Sequence, residues 1–154
     1  FIPAGTLHAI GKGILICEIQ QNSNTTYRIY DYGRIGADGK LRDLHIEKAL
    51  EVTALGPAPK HTVCDAAADI FPGVQSRLLA ACDYFTVYHL AVSGQCTLTA
   101  GEDSFQCLTV LSGSLVLTSD SGGLHVKKGE SVFLPAGLGC YALSGTGELI
   151  LSKV

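Results

Sequence analysis

Eight residues at the start of the chain return near its end: Phe1-Ile2-Pro3-Ala4-Gly5-Thr6-Leu7-His8 recurs as Phe133-Leu134-Pro135-Ala136-Gly137-Leu138-Gly139-Cys140, 132 positions later. The adjoining stretch recurs as well, Gly11-Lys12-Gly13-Ile14-Leu15-Ile16 matching Gly145-Thr146-Gly147-Glu148-Leu149-Ile150 at an offset of 134. Self-similarity of this kind implies two tandem copies of one structural unit. The unit is a β unit, because 18 glycines punctuate short Val/Ile/Leu/Thr-rich runs with turn signals every eight to twelve positions. Strands are expected at 14–20, 27–32, 85–92, 95–100, 106–111, 114–118, 124–127, 131–134, 140–143 and 148–153. About ninety residues of strand-like sequence precede the second copy's match, whereas nothing precedes the first. Residues 1–53 therefore read as the tail of a unit whose leading strands lie upstream. The start on Phe1-Ile2-Pro3 and the lack of any methionine point the same way, to a fragment of a longer protein.

Helical pattern is sparse. It is clearest from Asp43 to Val52, with Asp43 as N-cap and Ile46, Ala49 and Leu50 on one face; a second short helix is expected around Ala66 to Ile70. Two prolines and a glycine in Ala54-Leu55-Gly56-Pro57-Ala58-Pro59 suit neither a helix nor a central strand. The organisation expected is thus a remnant over 1–53 carrying the helix 43–52, a linker over 54–60, and a complete barrel over 61–154.

Eleven basic against fourteen acidic residues, a net charge of −3, leave nothing to neutralise a run of nucleic-acid phosphates. No apolar run approaches the roughly 18 residues of a membrane span, and the N-terminus lacks the layout of a signal peptide. Neither nucleic acid nor membrane is an expected partner. Six cysteines at 17, 64, 82, 96, 107 and 140 show no metal-ligand spacing, and most sit in apolar surroundings. They read as buried free thiols of a reducing cytoplasm.

The second copy reads Gly129-Glu130-Ser131-Val132-Phe133-Leu134-Pro135-Ala136-Gly137-Leu138-Gly139-Cys140, or G-x5-P-x-G-x2 followed by Cys. This resembles the second sequence motif of the cupin family, whose last position is a metal-binding histidine, and implies an all-β jelly-roll barrel. In the first copy that position is His8; in the second it is Cys140, read as a small buried hydrophobe. The His-x-His pair of the other cupin motif is replaced by Phe105-Gln106-Cys107, so the second barrel is expected to have an apolar, metal-free interior.

Around His8 the chain carries further polar groups. Alternation on 14–20 places Glu18 and Gln20 on the face of Ile14 and Ile16, and on 27–32 it places Arg28 beside Tyr30. A hairpin loop Gln21 to Thr25 centred on Ser23 would set Glu18 across from Arg28 and Gln20 across from Thr26. As an exposed cross-strand pair, Glu18 and Arg28 would contribute at most about 1 kcal/mol. Polar groups gathered on an otherwise apolar strand face fit a site better. His45, His61, His89 and His125 read as ordinary surface or strand residues, and Lys48, Lys127 and Lys128 as solvated.

The segment from Pro3 to Tyr32, with Leu44-His45-Ile46-Glu47-Lys48-Ala49-Leu50, is similar to the type I mannose-6-phosphate isomerases, in which a catalytic cupin precedes a degenerate one. The resemblance implies interconversion of mannose 6-phosphate and fructose 6-phosphate by proton transfer through an enediolate, with a zinc cofactor in the intact parent protein and none in the fragment. By the same resemblance His8 is a zinc ligand and Arg28 an active-site arginine, catalytic or substrate-binding. Glu18 becomes a candidate catalytic carboxylate and Gln20 a candidate substrate-binding amide. A catalytic zinc takes three protein ligands, so the fragment alone is expected to be inactive. The alternatives are a non-catalytic cupin module binding a sugar or a protein partner, and a cupin dioxygenase or epimerase, which Glu18 to Arg28 do not resemble.

Overall fold

The computed structural model describes residues 1–57, 67–68 and 71–154. Contacts divide the chain into two compact units, Phe1–His61 and Thr62–Val154. The linker residues 58–60 and the ends of the helix expected around Ala66 to Ile70 lie outside the described residues; within that expected helix, Ala67–Ala68 pair as a strand instead.

The second unit is an antiparallel jelly roll. Its strands are β1 (Ala67–Ala68), β2 (Gln75–Ala81), β3 (Thr86–Ala100), β4 (Gln106–Ser119), β5 (Gly122–Lys127), β6 (Ser131–Leu134) and β7 (Gly139–Lys153). The sheet runs β1-β2-β3-β7-β4-β5, with β6 also paired to β4. Strand β7, which carries the repeat, lies between β3 and β4 and pairs with both along almost its whole length.

Three pairs of short expected strands are three long ones. Segments 85–92 and 95–100 are continuous in β3, 106–111 and 114–118 in β4, and 140–143 and 148–153 in β7. Glycines that read locally as turns lie in register across neighbouring strands, Gly94 opposite Gly145 and Gly113 opposite Gly147. At such a line strands can bend together without breaking the ladder. Gly113, at φ +75°, has so close a neighbour that a Cβ on it would lie 2.1 Å from the Thr146 carbonyl oxygen. In β4 a register shift lies between Val110 and Ser112, next to this line. It changes the inward phase from Gln106, Leu108 and Val110 to Leu115 and Leu117. Strand β2 was not anticipated, since Gln75-Ser76-Arg77-Leu78-Leu79 alternates too weakly to announce one.

The interior is filled by Leu90, Val92, Leu98, Leu143, Leu149 and Leu151, among others, but it is not wholly apolar. Tyr141, 1% exposed, donates its hydroxyl to Gln106 Oε1 at 2.6 Å, and Gln106 Nε2 donates to the Thr99 carbonyl at 2.8 Å. Burial pushes the Tyr141 hydroxyl far above its ordinary pKa, so it stays a donor. Tyr141→Phe leaves a buried amide oxygen without its partner and is expected to cost about 1–3 kcal/mol of unfolding free energy, read by urea denaturation.

In the first unit the helix α1 is shorter than expected. It spans Ile46–Val52 with His45 rather than Asp43 at its N-cap, and no side chain caps it. Ala49 is its one buried residue, while Ile46 and Leu50 are exposed. The strands expected at 14–20 and 27–32 are absent. Ile14, Leu15 and Ile16 stand in solvent, Leu15 at 93% exposure. A strand needs a neighbour to satisfy its backbone groups; the matching residues of β7 have two, whereas among the described residues of this unit none pairs with 14–20. No helix among the described residues is long and apolar enough to cross a membrane.

Candidate functional site

The repeated Pro-Ala-Gly stretch builds the same turn twice. Thr6 N–H donates to the Pro3 carbonyl at 3.2 Å with Gly5 at φ +83°, and Leu138 N–H donates to the Pro135 carbonyl at 3.3 Å with Gly137 at φ +74°. Glycine at the third position with positive φ is what a type II turn requires. Each turn is tied down by a backbone bond, from Ala54 N to the Gly5 carbonyl at 2.9 Å and from Gly137 N to the Gly101 carbonyl at 2.8 Å.

Beyond the turn the copies differ. His8 is exposed, and its Nδ1 lies 2.8 Å from the Thr6 carbonyl. A carbonyl only accepts, so Nδ1 carries a proton; in the neutral ring that is the tautomer a metal-ligating imidazole adopts when a backbone carbonyl orients it. Cys140 takes the corresponding place on β7 but is not buried; it is exposed on the outer face, its Sγ 3.7 Å from Thr99 Oγ1. Strand alternation instead turns Tyr141 inward. Of the other described cysteines only Cys96 is buried, and burial raises its thiol pKa. Cys82 and Cys107 are half-buried, Cys17 is exposed, and Cys64 lies outside the described residues, so the buried-thiol expectation holds for one position.

Arg28 is half-buried, whereas Glu18 and Gln20 are exposed. With no strand ladder, the expected pairings of Glu18 with Arg28 and Gln20 with Thr26 do not form. The loop between them is held by an ST-turn, Thr25 N–H donating to Ser23 Oγ at 3.2 Å. Arg28 belongs instead to a hairpin closing on His45. Arg28 N–H donates to His45 Nδ1 at 3.3 Å, and His45 N–H donates to the Arg28 carbonyl at 2.7 Å. Further along, Arg42 clasps Asp31 through two guanidinium nitrogens, its Nε at 2.6 Å. Ile35 bridges Leu41, and Gly36 N–H donates to the Lys40 carbonyl at 2.7 Å. Tyr32, at φ +55°, and Gly33 make a turn closed by Arg34 N–H donating to the Asp31 carbonyl at 3.0 Å; the Tyr32 ring lies edge-on to Tyr30 at 4.8 Å and beneath the Arg34 guanidinium at 5.8 Å. The Arg42 hydrogen bonds hold the Asp31 carboxyl below its ordinary pKa against an opposing desolvation, and the charges of Arg34 and Arg28 add to the lowering.

His8 thus stands beside a turn and Arg28 at the base of a hairpin. Among the described residues no three His, Cys, Asp or Glu side chains gather to hold a metal ion. The described donors do not fit a zinc site; among them His8 offers one ligand of the three or four required. His89 Nε2 lies 3.5 Å from Glu148, and His125 Nε2 lies 2.8 Å from Ser114 Oγ, both on strands of the second unit. His61 lies outside the described residues. Lys48, Lys127 and Lys128 are exposed. His45 is the residue that sequence reasoning passed over. The signal available was its place in the Leu44-His45-Ile46 run directly before the helix.

A family model described as mannose-6-phosphate isomerase, cupin domain, matches residues 75–154. The mannose-6-phosphate isomerase ManA of Bacillus subtilis (strain 168) is 41% identical over 155 residues, covering 100% of this chain and 48% of its own length. The probable mannose-6-phosphate isomerase GmuF of the same organism is 40% identical over 156 residues, covering 99% and 47%. The crystal structure of the Bacillus subtilis mannose 6-phosphate isomerase superposes with a TM-score of 0.75 at 30% identity, covering 87% of this chain and 42% of that one. The chain spans about half the length of the curated relatives it matches.

Proposed function

Since the chain belongs to the mannose-6-phosphate isomerase cupin-domain family, we propose that it is the C-terminal part of a longer cytoplasmic, zinc-dependent isomerase that interconverts mannose 6-phosphate and fructose 6-phosphate. The observation that carries this reading is the extent of the likeness: all of the chain, not the second unit alone, aligns with about half of an isomerase at 41% identity. In this reading residues 1–53 complete a catalytic cupin, 54–60 link it to the next unit, and 61–154 form a degenerate, metal-free cupin barrel.

The reaction takes a proton from C2 of the aldose, moves the C1 carbonyl electrons onto O1, and returns a proton to C1, while the C2 hydroxyl proton passes to O1 and the C2 oxygen becomes the ketone. Arg28, always charged and offering a planar fork of donors, stabilises the oxygen that becomes anionic or grips the phosphate. Glu18 is the candidate proton carrier, and Gln20 the amide that hydrogen-bonds the sugar hydroxyls. His8 would be one zinc ligand, its Nε2 left available by the bond from Nδ1 to Thr6. The other ligands would be residues outside these 154, and no step is assigned to the metal.

A coupled assay in both directions, with zinc measured on the same samples, tests the proposal. The 154-residue chain is expected to show no isomerase activity and no stoichiometric zinc, while the full-length protein shows both. Turnover by the chain alone, or a full-length protein inert toward both sugar phosphates, would overturn it.

A further inference from the structure

We propose that His45 is a positioning residue for Arg28: its imidazole and its own backbone amide together take up both backbone hydrogen-bonding groups of Arg28 and so fix where the guanidinium stem begins. The inference rests on the reading of Arg28 as a substrate-facing arginine. The clasp is reciprocal and spans 17 residues, with Arg28 N–H on His45 Nδ1 at 3.3 Å and His45 N–H on the Arg28 carbonyl at 2.7 Å. An amide only donates, so Nδ1 accepts and the ring is the neutral Nε2–H tautomer. An alanine at 45 could keep the second bond but not the first.

His45 is itself anchored. Its carbonyl accepts from Ala49 N–H at 2.9 Å, closing the first turn of α1, and Ala49 is the buried residue of that helix. The Tyr27 ring lies 6.1 Å from the imidazole, flanking it from the residue before Arg28. On the hairpin's other side the Asp31–Arg42 clasp holds the two arms together. The Arg28 guanidinium, by contrast, makes no hydrogen bond or ion pair among the described residues. A held backbone bearing an unspent, permanently charged fork is the arrangement that preorganised recognition of an anionic oxygen requires. Asp31, which feels the charge of Arg28, is nearest in sequence to compete for that fork, and its hydrogen bonds are taken by Arg42.

Two measurements test the clasp and its use. On the 15N-labelled 154-residue chain, imidazole nitrogen shifts should show His45 with a bare Nδ1 and a protonated Nε2, with a coupling across the bond to the Arg28 amide. His45→Ala should speed Arg28 amide exchange about tenfold, and His45→Asn, whose Oδ1 can accept in place of Nδ1, should restore most of the protection. In the full-length isomerase, His45→Ala should lower kcat about tenfold with little change in KM, and His45→Asn should recover it. A protonated Nδ1, or Arg28 exchange unmoved by His45→Ala, overturns the clasp. Turnover unmoved by His45→Ala while Arg28→Ala abolishes it overturns the positioning role and leaves the Arg28 reading standing. Turnover unmoved by Arg28→Ala overturns that reading, and the positioning role with it.

Discussion

Gly113→Ala is expected to destabilise the second unit by more than about 4 kcal/mol, a large share of the about 5–15 kcal/mol that keeps a typical domain folded. The added Cβ would lie 2.1 Å from the Thr146 carbonyl oxygen, 2.7 Å from Gly147 Cα and 2.9 Å from the Thr146 carbonyl carbon, all backbone atoms of β7. Backbone in the middle of a three-strand ladder can yield only by opening the pairing at Gly113–Gly147 and Ser114–Thr146. The φ of +75° adds a strain that no L side chain relieves. Gly94 is the control, because it also has a positive φ, +103°, but nothing lies within 4 Å of an added Cβ. Gly94→Ala should cost about 1–3 kcal/mol, the backbone strain alone. Urea denaturation followed by far-UV circular dichroism separates the two. A Gly113→Ala protein as stable as Gly94→Ala would mean that β4 and β7 do not approach this closely.

On the proposed function, Arg28→Ala in the full-length protein is expected to lower kcat by about 10²- to 10³-fold, the loss typical of removing one preorganised donor from a developing oxyanion. Zinc content should not change, since Arg28 is not a metal donor. Arg28→Lys should rescue little, because a point charge on a flexible stem does not reproduce a planar fork held at its backbone. His8→Ala should behave differently, losing zinc and turnover together. Cys140→Ala should change neither, its thiol being exposed on the outer face of β7. The coupled assay with metal analysis reads all four variants, and a fully active His8→Ala protein would remove the metal assignment.

Features set by neighbours in the chain were legible in the sequence. The Pro-Ala-Gly repeat predicted two like units, and both turns form with the same hydrogen bond and the same glycine conformation. Strand β6 falls at 131–134 as expected, the β-rich, glycine-punctuated pattern pointed to an all-β unit, and the likeness to the cupin motif implied the jelly roll. Such signals survive because a type II turn, or alternation over four residues, depends on dihedral preferences and side-chain periods that local sequence carries.

Features that depended on partners distant in the chain were not legible. Ser93-Gly94 and Ser112-Gly113 read as breaks, yet pairing to β7 carries β3 and β4 through them. The register shift at Val110 reverses the inward phase of β4 in a way no period-2 count foresees. Alternation placed Glu18 opposite Arg28, but a strand exists only where another strand satisfies its amides and carbonyls, and residues 14–20 have none among the described residues. Arg28 found His45 instead, 17 residues away, through a hairpin that turns at the positive-φ Tyr32. The sequence by itself determined the turns, the fold class and the residue types available for chemistry. The tertiary structure decided which segments became strands, which way Cys140 and Tyr141 face, and what holds Arg28, because hydrogen-bond pairing and burial are properties of two chain segments at once.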